Sequence, residues 1–185
     1  MKVIETGFTD LLLIEPKTFG DSRGYFFESY NEKTFGENGI TIKFIQDNQS
    51  MSSFGVIRGL HFQKAPFAQT KLVRVLSGRI LDVAVDLRKG SATYGKHFSV
   101  ELSAQNKKQL LVPKGFAHGF SVLSETAEVL YKCDEFYHKE SEAGILYSDP
   151  ALKIDWKVPA DKAIVSEKDL KQPTFAAYQA EFAAL

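Results

Sequence analysis

A chain of 185 residues with 23 Lys plus Arg and 23 Asp plus Glu has zero formal net charge, which argues against a nucleic-acid-binding domain, since those carry a basic excess. The length suits one domain over residues 1–185 with a sizeable core, and Cys133, the single cysteine, excludes an intrachain disulfide. The start, MKVIETGFTDLLLIEP, lacks the features of a signal peptide, no stretch approaches the ~20 apolar residues of a membrane span, and a reducing, cytoplasmic setting is expected.

Short alternating runs separated by turn residues dominate the pattern. Residues 11–15 and 25–30 read as strands, with a turn signal at Gly20-Asp21. Residues 31–35 suit one or two helical turns with Asn31 as N-cap, and residues 44–52 read as a further strand. The clearest signal is KLVRVLSGRILDVAVDL, where Leu81, Val83, Val85 and Leu87 alternate with Asp82, Ala84 and Asp86. With Ser77-Gly78-Arg79 as its turn, that stretch predicts a β-hairpin. Strands follow at 96–102, 109–112, 118–122 and 127–133, with turns at Lys89-Gly90, Pro113-Lys114-Gly115 and Asp149-Pro150. Residues 166–170 suit a short helical turn, and the Ala-rich tail from Pro173 suits a helix. Many short strands in one chain predict an all-β sandwich or barrel.

Three clusters carry candidate chemistry. In FGVIRGLHFQ, Arg58 and His61 fall on opposite faces of a regular strand, so sharing a pocket requires a bend, which Gly59 can supply. A base beside an anion-binding guanidinium is one reading; a polar strand end with a surface arginine is the other. In VPKGFAHGF, Pro113, Gly115 and His118 show the PxGxxH spacing found in cupins. The earlier cupin His-x-His pair reads His61-Phe62-Gln63 here, and two imidazoles with a neutral amide make a poor first-row metal site. No metal is therefore expected, and His118 reads as a structural or substrate-facing imidazole. In VLYKCDEFYHKE, Tyr131, Cys133 and Glu135 share a face, where a strand tyrosine can simply pack. His97 and His138 read as surface residues and Cys133 as a small core residue. Nucleophile elbows, phosphate-cradling loops and dinucleotide fingerprints are missing.

Together these segments resemble the dTDP-4-dehydrorhamnose 3,5-epimerase family. The resemblance runs from about residue 14 to residue 175, through DSRGYFFE, QDNQS, VIRGLHFQ, QTK, the 86–95 stretch, PKGFAHG, YKC, Asp149-Pro150 and SEKD. The order of these landmarks, rather than any one motif, makes it specific. It implies a double-stranded β-helix, or jelly-roll (cupin) barrel, with short peripheral helices. It also implies a homodimer in which each N-terminal strand adds to the partner's sheet, and a cofactor-independent reaction on a dTDP-linked 4-keto-6-deoxy sugar.

By resemblance, His61 matches the base for C3 and C5, and Asp169 the carboxylate holding it. Lys71 matches the cation beside the enolate oxygen, and Tyr131 the acid on the opposite face. Arg23, Phe26, Glu28, Gln46, Asn48, Ser50, Arg58, His118, Tyr137 and Lys168 match positions at or near the sugar, pyrophosphate or thymine. Departures fall at Ala92, His97 and Lys139, none of which touches the implied chemistry. The other readings of these residues are a related epimerase inverting one centre, a non-catalytic sugar-binding cupin and a metal-dependent oxygenase. Retention of His61, Lys71, Tyr131 and Asp169 together disfavours the second, and Gln63 the third.

Overall fold

Alternating patterns separated by turns produce fourteen strands in the computed structural model, which describes residues 1–183. In chain order the first half contains β1 (Lys2–Glu5), β2 (Leu12–Glu15), β3 (Phe19–Asp21), β4 (Gly24–Phe26), β5 (Gln46–Ser53), β6 (Val56–Gln63) and β7 (Lys71–Ser77). The second half contains β8 (Arg79–Asp86), β9 (His97–Ser103), β10 (Gln109–Val112), β11 (Phe116–Val122), β12 (Thr126–Cys133), β13 (Glu142–Gly144) and β14 (Ile164–Val165). Three short helices lie outside the sheets: α1 (Glu32–Glu37), α2 (Glu167–Leu170) and α3 (Phe175–Ala183). Asn31 caps α1 through its side chain, and Ser166 caps α2 by accepting from the Asp169 amide.

Two sheets share the load. One has the order β1-β2-β10-β7-β12-β5; the other runs β13-β6-β11-β8-β9, with β14 also on the free side of β6. Their facing sides enclose the main core, where Val73, Val75, Leu110 and Val129 of the first sheet meet Ile80, Ala84, Phe116 and Phe120 of the second. Burying each Leu, Val or Phe contributes about 1.5–3 kcal/mol. The outer face of the second sheet is covered too. Leu81, Val83 and Val85 pack there with Ile145, Leu152, Trp156 and Phe175 of the C-terminal segment. The molecule is thus an all-β jelly roll with short peripheral helices.

The expected hairpin at Ser77-Gly78-Arg79 is corrected. β7 and β8 are consecutive but belong to different sheets, β7 between β10 and β12 and β8 between β11 and β9. Gly78, at φ +75°, turns the chain from one layer to the other, and a Cβ there would collide with the Thr126 carbonyl oxygen. Because β8 is buried on both faces, its alternation separates the inner face of its sheet from the outer face, not core from water.

A second correction concerns residues 25–30. The extended part stops at Phe26, in a two-stranded β3–β4 ribbon whose turn lies at Ser22-Arg23 instead of Gly20-Asp21. Among the described residues the ribbon has no third strand, and Phe19, Tyr25 and Phe26 are exposed on it. The strand expected over 44–52 begins only at Gln46, and β1, β13 and β14 are too short to show a period. The tail is helical as expected, up to the last described residue.

Candidate active site

The segment carrying Arg58 and His61 becomes β6, whose register against β11 is irregular. His118 faces His61 and Phe120 faces Arg58, so three steps on β6 match two on β11. This extra residue brings Arg58 and His61, three positions apart, onto one side. Gly59 makes the distortion possible. It adopts φ +124°, and a Cβ there would lie 2.6 Å from the Gly119 Cα.

Asp169 is brought to His61 across 108 positions of sequence by a short ladder. β14 runs parallel to the start of β6, pairing Ile164 with Val56 and Val165 with Ile57. The Ile164 amide donates to the Gly55 carbonyl at 2.9 Å, and Gly55 itself, at φ +85°, leaves no room for a Cβ beside the Lys162 carbonyl. The chain then enters α2, a single turn that presents Asp169. The carboxylate is buried, 2.6 Å from His61 Nε2, and also accepts from the Gly59 amide at 3.4 Å. Such a partner accepts a hydrogen bond from Nε2–H, which fixes the proton there and leaves the lone pair on the other ring nitrogen.

Lys71 and Tyr131 come from the facing sheet, on β7 and β12. His61, Lys71 and Tyr131 are shared by two lobes of one cleft, each about 150 Å³. Gln46, Asn48, Phe62, Gln63, Gln69, Tyr137 and Glu142 complete the first lobe. Ser50, Arg58, His118, Gly119 and Phe120 complete the second. The imidazole and the phenol therefore stand on opposite walls. Burial holds the Lys71 ammonium below the usual lysine range, against the opposing pull of Cys133, Asp82 and Glu142. Its Nζ lies 5.7 Å from the Tyr131 ring centre. Burial raises the Tyr131 phenol above its ordinary value, with Cys133 acting in the same sense and Arg58 opposing, so the hydroxyl keeps its proton at neutral pH.

At the rim, Tyr137 donates to Glu142 at 2.9 Å, and Lys168 meets the other Glu142 oxygen at 2.6 Å. Burial alone would raise the Glu142 carboxyl, but Lys168 and Tyr137 bring it below the usual range. The same contacts raise Lys168 and Tyr137. Gln63, where a cupin metal site would have its second imidazole, has its amide fully engaged. It donates to the Phe67 and Phe136 carbonyls and accepts from the His138 amide. His118 is buried and bonds Asp82 at 2.7 Å. Among the described residues, no three His, Cys, Asp or Glu side chains are placed to hold a metal ion.

The structure thus gathers His61, Lys71, Tyr131, Gln46, Asn48, Ser50, Arg58, His118 and Tyr137 around one cleft, with Asp169 behind His61 and Lys168 at the rim. Arg23, Phe26 and Glu28 are not brought there. Arg23 and Phe26 belong to the exposed ribbon, and Glu28 accepts from Asn31 beside α1. Cys133 is buried on the strand of Tyr131, in line with its reading as a core residue. His138, read as a surface residue, is half-exposed but stacks on Phe67 at 3.8 Å. Glu142 and Asp82 were not legible in advance. Glu142 follows Glu140 in a stretch without a period, and Asp82 looks like the polar half of an alternating strand.

Comparison with known proteins gives the family. The family model described as dTDP-4-dehydrorhamnose 3,5-epimerase matches residues 5–177. The curated dTDP-4-dehydrorhamnose 3,5-epimerase of Shigella flexneri is 52% identical over 176 residues, 95% of this chain and 96% of that protein. The crystal structure of the enzyme of that name from Elizabethkingia anophelis superposes with a TM-score of 0.91 at 56% identity, covering 95% of this chain and 97% of the other. The dTDP-6-deoxy-D-glucose-3,5-epimerase of Legionella pneumophila, solved in complex with dTDP-4-keto-L-rhamnose, gives 0.92 at 49% identity, covering 97% and 95%. With a family match over nearly its whole length and a shared fold at about half identity, this chain belongs to the dTDP-4-dehydrorhamnose 3,5-epimerase family.

Proposed function

We propose that this chain, acting as one domain, epimerises C3 and C5 of dTDP-4-keto-6-deoxy-D-glucose to give dTDP-4-keto-L-rhamnose, within dTDP-L-rhamnose biosynthesis in the cytoplasm. The observation that carries the reading is the His61–Asp169 pair facing Tyr131 across a cleft that also holds Lys71. Protons at C3 and C5 are both alpha to the C4 ketone and become removable once the developing oxyanion is neutralised. In this reading the ring nitrogen of His61 turned away from Asp169 takes the proton. The C–H electrons move into the C3–C4 or C4–C5 bond, and the C4 oxygen becomes an enolate beside the Lys71 ammonium. Tyr131 then protonates the same carbon from the other face, which inverts it. General acid–base assistance contributes roughly 10²–10⁴-fold. No cofactor or metal takes part.

The remaining residues hold the substrate. Arg58 and His118 suit the diphosphate and sugar in the second lobe, and Ser50 belongs with them. Gln46, Asn48, Tyr137 and Lys168 suit the nucleotide side. Arg23, Phe26 and Glu28 act on a second copy in a homodimer, where the β3–β4 ribbon reaches the partner's cleft. An exposed aromatic ribbon carrying an arginine supports that assembly.

The test is incubation with dTDP-4-keto-6-deoxy-D-glucose in deuterated water, following exchange and product by NMR. Deuterium at both C3 and C5 with formation of dTDP-4-keto-L-rhamnose is expected. Exchange and inversion at one carbon only would make the chain a single-centre epimerase, and no exchange at all would make it a binding protein.

A further inference from the structure

The chemistry proposed above leaves one buried acid behind the cleft without a role. Asp82 lies in the middle of β8 with no exposed surface, on the side of Ile80 and Ala84, which belong to the core between the sheets. Its Oδ1 meets His118 Nε2 at 2.7 Å. Its Oδ2 has no hydrogen-bond partner, alone in this among buried side-chain oxygens and nitrogens of the described residues. A carboxylate kept in such surroundings is unfavourable unless a nearby charge compensates it.

The compensating charge is in the adjoining lobe. Lys71 lines that lobe together with His118, whose Nε2 Asp82 holds from behind, and the Asp82 carboxylate favours the Lys71 ammonium against the effect of burial. The titratable and charged groups around Lys71 are Arg58 and His61 from β6, Asp82 from β8, His118 from β11, Tyr131 and Cys133 from β12, and Glu142 from β13. Burial favours the neutral amine, and Arg58 adds a second cation to the lobe. Of the carboxylates, Asp169 is engaged by His61 and the Gly59 amide, and Glu142 by Lys168 and Tyr137. Asp82 alone keeps an oxygen without a hydrogen bond.

We propose that Asp82 is a positioning residue of the epimerisation site: one of its oxygens orients His118, and the other supplies the fixed negative charge that keeps Lys71 an ammonium ion. The proposal rests on the reading of Lys71 as the group that neutralises the enolate.

The test is Asp82→Asn in the full chain, which removes the charge while the amide oxygen can still accept from His118 Nε2. Lysines are reductively methylated with a ¹³C label, and the Lys71 signal is assigned by its loss in Lys71→Met. Asp82→Asn should lower the Lys71 titration midpoint by about one unit or more, a tenfold or greater loss of proton affinity. The alkaline limb of kcat/KM should move down with it, an effect that mere packing would not produce. Should Asp82→Asn fail to fold, Asp82→Ser, a smaller uncharged replacement, is measured in the same way, and the Lys71 midpoint should fall again. Midpoints that stay within about 0.3 unit, a factor of two, would overturn the proposal. Neither midpoint depends on turnover, so a wild-type protein that fails to epimerise would sink the functional reading while leaving this question separately answered.

Discussion

Replacing Tyr131 by Phe removes one oxygen and leaves the ring. The ring packs against the main core and lies near Lys71, and Phe preserves both contacts, so the fold should lose less than about 1 kcal/mol. Catalysis should respond far more. If the phenol is the acid that completes inversion, its loss removes a factor of roughly 10²–10⁴ in turnover, or about 3–5 kcal/mol of transition-state stabilisation. Exchange should behave differently, because His61 stands on the opposite wall and can take a proton and return it to the same face. In deuterated water, Tyr131→Phe should therefore keep incorporating deuterium while product formation collapses. His61→Asn, which keeps a polar group of similar size but no base, should lose both. Proton NMR of one reaction mixture reads the two quantities together. Native-rate inversion by Tyr131→Phe would refute the assignment of the acid and turn attention to Tyr137 at the rim. Native-rate exchange by His61→Asn would refute the mechanism itself.

Three further outcomes are expected. Exhaustive chelation should leave turnover intact, and activity lost on chelation and restored by one metal would contradict the metal-free reading. Light scattering at assay concentration should show a dimer, and Phe26→Asp on the exposed ribbon should lower activity by promoting the monomer; a fully active monomer would argue against a shared site. Asp86 should make stability acid-sensitive: burial opposes its ionisation, but Arg88, Ser91 and Thr93 outweigh this and lower its carboxyl from 3.8 to about 2. A depressed carboxylate stabilises above its unfolded value and loses that contribution as pH falls, so wild-type stability should drop by about 2 kcal/mol between roughly pH 4 and pH 2. Urea midpoints of Asp86→Asn should lack that acid-dependent part, and parallel pH profiles for the two proteins would count against it.

Much of the fold was legible because local chemistry decides it. Asn31 and Ser166 announce α1 and α2, since their side chains satisfy amides that a first turn leaves unpaired. Strand partners were not legible in the same way. The stretch from Lys71 to Leu87 shows two strands and a turn, yet period two says nothing about which sheet each strand joins. Gly78 permits a hairpin as readily as a corner, and the choice falls to the long-range pairing of β7 with β12 and of β8 with β11. Residues 25–30 failed for the opposite reason. Their aromatic content suits a strand, but among the described residues they have no neighbour to pair with beyond β3.

The site divides along the same line. Arg58, Gly59 and His61 lie within four positions, so the need for a bend, and the residue able to supply it, could be stated from spacing alone. Asp169 could not be paired with His61 that way. The link is β14 on β6, two residues long and without a periodic signature; only the family resemblance pointed to it. Asp82 was hidden more deeply, because an acid alternating with Leu and Val normally marks a solvated face. Here Leu81, Val83 and Val85 are covered by the C-terminal segment with Trp156 and Phe175. Once that outer face is apolar and buried, the alternating acid has only the interior of the sandwich to point into. At that level His118 and Lys71 line the cleft, and Asp82 lies behind His118. Asp82 is therefore better read with the site than with the surface, whereas Asp86, at the end of the same strand, is held by Arg88, Ser91 and Thr93.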